Sequence, residues 1–367
     1  KGENGFIITS ADDRMPAVLG YSDNGAFNPS DASPELKWWL SQYAAEANAC
    51  LKEATTATTL NSGARRSARQ TVPELLSTRW DQGTPYNLDC PSDSRGRCVT
   101  GCVATAMAQV IKYFGYPTSG TGSYSYDWKG TTLHYDYAGA TFDYQNMLDE
   151  YDNNNATQTQ KAAVANLMYA CGVGVNMNYS SSSSGASDGY VAYALAEYFN
   201  YDKSIRYLLR DCLSAEDWED IVYAELLAGR PVIYGGQSNE GGHEFVCDGY
   251  EEGYFHINWG WSGYGNGWFL LSALDPGLQG IGGFAGGYNF DQSIICGIQP
   301  NAGNPQTTYP IFATGGLEVQ EVYGNEAVMI GITDGGVWNY SPASFDTSFY
   351  LKAVADTGEE YVGTTSM

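Results

Sequence analysis

The sequence predicts an α+β protein in which helices come first and strands second, with a smaller unit on either side of a central domain. Three observations predict it. Segments with a helical apolar period lie mostly before residue 230, and runs rich in Val, Ile and Tyr fill Pro231 to Ile298. Two stretches of different texture, 1–70 and 303–367, flank that pattern. A length of 367 residues exceeds one typical domain, and 43% hydrophobic with 14% aromatic residues is the composition of a folded chain.

Taken in order, residues 33 to 52 read as a helix. Ser33 can cap it, Pro34 suits its first position, and Leu36, Leu40, Tyr43, Ala44, Ala47 and Leu51 share one face. The segment from Gly63 to Gln70 holds Arg65, Arg66 and Arg69 with no apolar periodicity, which describes an exposed linker open to proteolysis. A domain boundary at 70/71 follows. A helix is expected after Gly101, and others at 157–171, 188–199 and 214–228. The last has Ser214 as cap, Asp217 three residues on, and Gly229 and Pro231 past its end. Residues 180–187 and 276–288 read as Ser- or Gly-rich loops. The stretch 303–367 offers short β-like runs, Glu318 to Val322, Ala327 to Ile332 and Phe349 to Val354, and so a small all-β region that stops without a closing signal.

Charge narrows the partners. A formal net charge of −24 argues against nucleic acid, whose binding rests on Lys and Arg displacing counterions. No apolar run reaches the roughly 18 residues that a membrane span requires. Low Lys content with many Tyr, Asn, Gly and Ser is common in exported bacterial proteins, and the chain opens at Lys1, as after removal of a signal peptide, so a secreted or cell-surface location is expected. Eight cysteines are too sparse for a disulfide scaffold. A Cys90–Cys98 bridge across a polar loop stays open against an unpaired reading. No CxxC spacing supports zinc, and neither a metal nor another cofactor is expected.

The segment Thr100-Gly101-Cys102-Val103-Ala104-Thr105-Ala106-Met107-Ala108-Gln109 carries the chemistry. It puts Cys102 in the first turn of a buried helix, where unpaired N–H groups and the macrodipole favour a thiolate. By itself, a Cys among Ala and Val reads more readily as a small buried hydrophobe. A nucleophile also needs a base, and the chain has three histidines. His134 lies in a polar, Tyr-rich stretch, and His256 sits inside a strand as a packed residue. His243 follows Gly241-Gly242 and opens the strand Glu244 to Tyr250, so glycines leave room around its ring. The linker Glu251-Glu252-Gly253 makes a hairpin with Tyr254 to Trp259, which brings Asn258 near His243 as an orienting group or leaves it as a strand-end turn residue.

These residues resemble the streptopain family of papain-like cysteine peptidases. Four motifs stand in the family's order: Trp80-Asp81-Gln82-Gly83-Thr84-Pro85-Tyr86-Asn87, Gly101 to Gln109, Gly242-His243 with Phe245-Val246 and Asp248-Gly249, and Asn258-Trp259-Gly260-Trp261. The Gly-rich loop 277–287 adds a fifth similarity. The resemblance implies a papain-like fold, a helical part plus an antiparallel sheet, over 71–302. It implies Cys102 as nucleophile, His243 as general base and acid, Gln82 as oxyanion donor with the Cys102 N–H, and Asn258 and Trp259 as the strand that orients and shields His243. The reaction implied is hydrolysis of protein or peptide substrates through a thioester, in reducing conditions and with a bell-shaped pH profile.

One residue departs from the family pattern, because Glu244 follows the histidine where a small residue is usual. Strand alternation points it away from the imidazole, with its charge bordering the substrate cleft. Residues 1–70 resemble the family's inhibitory pro-segment through Val18 to Phe27, implying a monomeric zymogen cut between about Asn61 and Thr71. The alternatives kept are an inactive papain-like protein that binds peptides or glycans in adhesion, an attachment role for the C-terminal region, and an acyltransferase or amidase using the same dyad.

Overall fold

The computed structural model describes residues 69–151, 156–210, 213–284 and 287–303. It also describes the backbone of strand pairs in the flanking stretches. Helix α1 (Cys102–Phe114) starts after Gly101, whose φ of 88° is open to glycine at little cost, and ends at the left-handed Gly115. Every residue from Val103 to Ile111 is buried, so α1 is a central helix with no solvent face. A hairpin of β1 (Ser123–Trp128) and β2 (Thr131–Asp136) follows, then α2 (Gln158–Gly174), opened by a complete Thr157/Gln160 capping box. Helix α3 (Gly189–Glu197), strand β3 (Arg206–Leu209) and helix α4 (Ala215–Leu227) come next. Ser214 caps α4 through the Asp217 N–H, as expected.

The remaining strands are β4 (Val232–Gln237), β5 (Gly242–Glu251), β6 (Tyr254–Asn258), β7 (Gly267–Phe269) and β8 (Phe290–Cys296). They form one antiparallel six-stranded sheet in the order β7-β6-β5-β4-β8-β3. The strands at its centre are apolar on both faces because each face is covered. Alternate residues sort accordingly. Ile233, Val246 and Ile295 join the core built by α1, α2 and α3, whereas Val232, Tyr234, Phe245, Cys247, Ile294 and Cys296 join the core beneath α4. The cleft that matters for function opens where α1 meets the sheet.

The expected helices over 102–228 are all present, and the described residues of 180–187 and 276–288 are free of helices and of the named strands. The hairpin at 123–136 falls where the sequence shows only a polar, Tyr-rich stretch. In the flanks, strand Phe6–Thr9 pairs antiparallel with Val18–Ser22, and the β-like runs near 318, 327 and 349 fall within the strands Gly316–Tyr323, Ala327–Thr333 and Ser348–Val354. The helix expected at 33–52 and the expected cleavage segment up to residue 68 lie outside the described residues.

The exposed-linker reading is corrected at its end. Arg69 pairs with Asp220 and lies over the rings of Tyr223 and Tyr250, at 4.9 and 5.6 Å from their centroids. The N–H of Gln70 donates to the Tyr223 hydroxyl at 2.8 Å. A guanidinium held between a carboxylate and two aromatic faces docks the chain on α4, so Arg69 packs with the central domain while Gln70 stays exposed. Cys90 and Cys98 are both buried free thiols.

Candidate active site

Cys102 is the first residue of α1, half-buried at the cleft, and its thiol is free. The turn before it is pinned by Thr105, whose hydroxyl donates to the Gly101 carbonyl at 2.9 Å. Glycine suits 101 because its φ of 88° strains any L side chain, and a Cβ there would also lie 3.1 Å from the Ser184 carbonyl oxygen. A cleft of about 710 Å³ is lined by Cys102, His243, Glu244 and Gln82 among others. Thus α1 with the segment before it, and β5, some 140 residues further along the chain, supply one cavity.

His243 is 3% exposed and packs in an aromatic nest. The Trp261 ring stacks at 4.5 Å between centroids, with Tyr288 at 5.4 Å, Phe245 at 6.0 Å and Trp259 at 6.3 Å. Gly236 pairs with His243 across the sheet, and the absence of a Cβ there lets Tyr288, one wall of the nest, approach the strand. Nε2 of His243 lies 2.8 Å from the carbonyl oxygen of Trp259. A carbonyl only accepts, so Nε2 carries the proton and Nδ1 keeps the basic lone pair. Nδ1 is buried and has no hydrogen-bond partner.

Two expectations need correction here. The first concerns Asn258, whose side-chain oxygen accepts from the N–H of Gly260 at 3.1 Å and from Gln109 Nε2 at 3.4 Å, while its Nδ2 donates to the Thr78 carbonyl at 2.7 Å. Asn258 therefore ties β6 to α1 and to the segment before it, and the group that meets the imidazole is the backbone of Trp259. A register shift between His256 and Ile257 in the β5–β6 pairing accompanies this change.

The second correction concerns the charge of the pair. Burial pushes the Cys102 thiol up to about 11, Glu244 adds to the rise, and the backbone N–H groups of Glu244, Val103 and Cys102 offset only part of it. Burial also holds His243 down at about 4, with the Trp259 carbonyl opposing. Desolvation outweighs the helix terminus, so burial pushes both groups toward their neutral forms.

Gln82 is buried, and its Nε2 donates one hydrogen to the Ile281 carbonyl at 2.6 Å. The Trp261 indole donates to that same carbonyl at 3.0 Å. This shared acceptor fastens the Gly-rich loop to Gln82 and leaves the second amide hydrogen of Gln82 available. The other histidines lie in settings consistent with their sequence reading. His134 bonds Ser125 at the surface at 2.9 Å, and Nδ1 of the buried His256 is 2.6 Å from Asp248.

Sequence reasoning missed Trp261 and Tyr288 as walls for the imidazole, and Asp188 and Ser293 beside Glu244. Only the aromatic richness of 254–288 hinted at the first pair. No group of three or more His, Cys, Asp and Glu side chains suited to a metal occurs among the described residues. No helix among them is long and apolar enough to cross a membrane.

Residues 80–269 match the Peptidase C10 family, and residues 1–47 match the Spi protease inhibitor family. The thiol protease/hemagglutinin PrtT of Porphyromonas gingivalis is 34% identical over 376 residues, covering 98% of this chain, which spans 43% of that protein's length. Streptopain of Streptococcus pyogenes is 34% identical over 318 residues, 81% of this chain and 78% of streptopain. Among solved structures, the active wild-type interpain A cysteine protease of Prevotella intermedia is 38% identical with a TM-score of 0.57, covering 61% of this chain and 94% of that one. A prointerpain A fragment is 34% identical with the same TM-score of 0.57 and covers 82% of this chain. A free cysteine opening a central helix, a histidine on the facing sheet and these likenesses lead to one conclusion: the chain belongs to the peptidase C10 family of cysteine endopeptidases.

Proposed function

We propose that this chain is the zymogen form of a secreted bacterial endopeptidase that cleaves peptide bonds with Cys102 and His243. The observation that carries the reading is the state of His243: Nε2 is committed to the Trp259 carbonyl, and the basic Nδ1 is left without a partner in the cleft that Cys102 also lines.

In the first step Sγ of Cys102 attacks the substrate carbonyl carbon while its proton passes to Nδ1 of His243. Because burial favours the neutral forms of both groups, transfer accompanies attack and does not precede it. The free hydrogen of Gln82 Nε2 and the N–H of Cys102 receive the oxyanion. Collapse of the tetrahedral intermediate breaks the C–N bond, and the imidazolium returns its proton to the leaving amine. Water then attacks the thioester with Nδ1 as base and releases the carboxylate product and the thiol. Asn258 and Gln109 hold β6 against α1, and Trp259 and Trp261 orient and shield the ring.

The residues before Arg69 supply the inhibitory segment in this reading, supported by the inhibitor match over 1–47. Cleavage that releases it falls before Arg69, which stays docked on α4. The test is incubation of the full chain in reducing buffer with a mixed peptide library, followed by mass spectrometry. The wild type is expected to self-process and to leave hydrolysis products, and Cys102→Ala and His243→Ala to do neither. Transfer products without hydrolysis, or unchanged cleavage by either variant, contradict the proposal.

A further inference from the structure

Next to the dyad the cleft contains a feature that peptide hydrolysis does not call for. Glu244 is 5% exposed, lines the cleft, and has one carboxyl oxygen, Oε1, with no hydrogen-bond partner among the described residues. By strand alternation it faces the α1 side of the sheet, with Val246, and not the aromatic nest of His243. Asp188, at the N-terminus of α3, and Ser293 on β8 stand beside it. The Ser293 hydroxyl donates to Asp188 Oδ2, and the Tyr207 hydroxyl donates to the same carboxylate at 3.1 to 3.2 Å.

The space for these groups is made by Gly235, which pairs with Glu244 across β4 and β5. A Cβ at 235 would lie 2.6 Å from Glu244 Oε2, 2.7 Å from Ser293 Oγ and 3.4 Å from Asp188 Oδ2. The glycine thus marks a recess whose wall is two carboxyl groups and two hydroxyls. Neither carboxylate has an ion-pair partner among the described residues.

A buried carboxyl with an unpaired oxygen costs stability, and a second carboxylate beside it raises the cost. A fold that served only an apolar substrate side chain would gain by placing a small or apolar residue at 244. We infer that the recess of Glu244, Asp188 and Ser293 is a subsite for a cationic side chain, so that the enzyme selects peptides with Lys or Arg close before the scissile bond. Burial, and then the Asp188 carboxylate beside it, hold the Glu244 carboxyl well above the usual carboxylate range; an arriving ammonium or guanidinium favours loss of that proton to solvent, with Glu244 Oε1 as acceptor and the Asp188 carboxylate beside it. Glu244 is then a specificity residue, and because its backbone N–H and its carboxyl both act on the Cys102 thiol, the subsite lies beside the reacting sulfur.

This inference rests on Cys102 being the reactive thiol but not on water being the acceptor. The test therefore measures labelling of Cys102 and scores hydrolysis separately. The full chain, after incubation in reducing buffer, is treated with peptidyl chloromethyl ketones carrying Lys, Arg, norleucine or Leu at each of the three positions before the reactive carbon. Labelling of Cys102 is followed by intact mass.

At one position Lys or Arg is expected to label at least about tenfold faster than norleucine. Glu244→Gln is expected to bring the four probes to within about threefold of each other while its norleucine rate stays or rises. Equal rates or an apolar preference at every position in the wild type overturn the inference without any variant. Wild-type labelling with the cationic preference but no peptide hydrolysis overturns the proposed endopeptidase and leaves the subsite standing. A cationic preference that persists in a folded Glu244→Gln protein removes Glu244 from the role.

Discussion

Replacing Gln82 by alanine separates catalysis from packing at this site. The side chain does two things: its Nε2 donates to the Ile281 carbonyl at 2.6 Å, and its remaining hydrogen is free for the oxyanion. Loss of an oxyanion donor lowers kcat by about 10² to 10³, or roughly 3 to 4 kcal/mol of barrier. Loss of the ground-state bond costs only about 1 kcal/mol of stability, because the Trp261 indole still donates to Ile281 at 3.0 Å and its carbonyl is not orphaned. The expected outcome is a kcat that falls at least about a hundredfold, a KM within about threefold of wild type, and a thermal midpoint lower by only a few degrees. Kinetics with a fluorogenic peptide, normalised to the fraction of Cys102 labelled by a thiol probe, provide the measurement. Gln82→Glu is the companion: it keeps the size but sets a carboxylate oxygen against the Ile281 carbonyl, so kcat falls as far and stability falls further. A folded Gln82→Ala protein that keeps more than a tenth of wild-type kcat refutes the oxyanion role.

Other positions give sharp outcomes. With the Cys102 thiol held at about 11 and His243 at about 4, the thiolate fraction in the uncleaved chain rises roughly tenfold per pH unit through neutrality. Alkylation by iodoacetamide is expected to climb steadily from pH 6 to 10, whereas a rate that is flat across that range would mean a preformed ion pair. Gly236→Ala places a Cβ 2.4 Å from the Tyr288 carbonyl oxygen, which is backbone and cannot swing away. A loss of about 2 kcal/mol or more by denaturant unfolding is expected, with activity reduced as the wall around His243 shifts. Asp248→Ala removes the acceptor of His256 Nδ1 at 2.6 Å and of the Leu76 N–H at 2.9 Å. It is expected to cost about 3 to 5 kcal/mol, while Glu74→Ala, on the exposed side of the same histidine, costs under about 1.

How much of this was legible follows from what kind of interaction each residue makes. Cys102 at a helix start was readable because Gly101 and the small apolar run after it are local signals, and His243 was readable because two glycines and a short hairpin frame it. The partner of His243 was not. A backbone carbonyl has no residue type, and the shift in β5–β6 register that accompanies Trp259 taking the place of Asn258 leaves no mark in the spacing. The push of both groups toward neutrality was also hidden: the helix terminus can be read from sequence, but desolvation depends on residues such as Trp261, Tyr288 and Glu244 packing near Cys102 and His243. Glu244 stood out as a departure from the family pattern. Its unpaired oxygen became meaningful only once Gly235, Asp188 and Ser293 were brought beside it from three other elements. Arg69 was misread because a basic, aperiodic segment looks solvent-exposed until the faces of Tyr223 and Tyr250 supply its contacts.

The most direct test of the account is an acid quench of the reducing-buffer-activated protein during turnover of an activated peptide ester, with tandem mass spectrometry to locate any acyl group. The account predicts an acid-stable, hydroxylamine-labile thioester on Cys102, absent from Cys102→Ala and formed at least about a hundredfold more slowly in His243→Ala. Steady turnover with no acyl group on Cys102, or an acyl group on another residue, would contradict it.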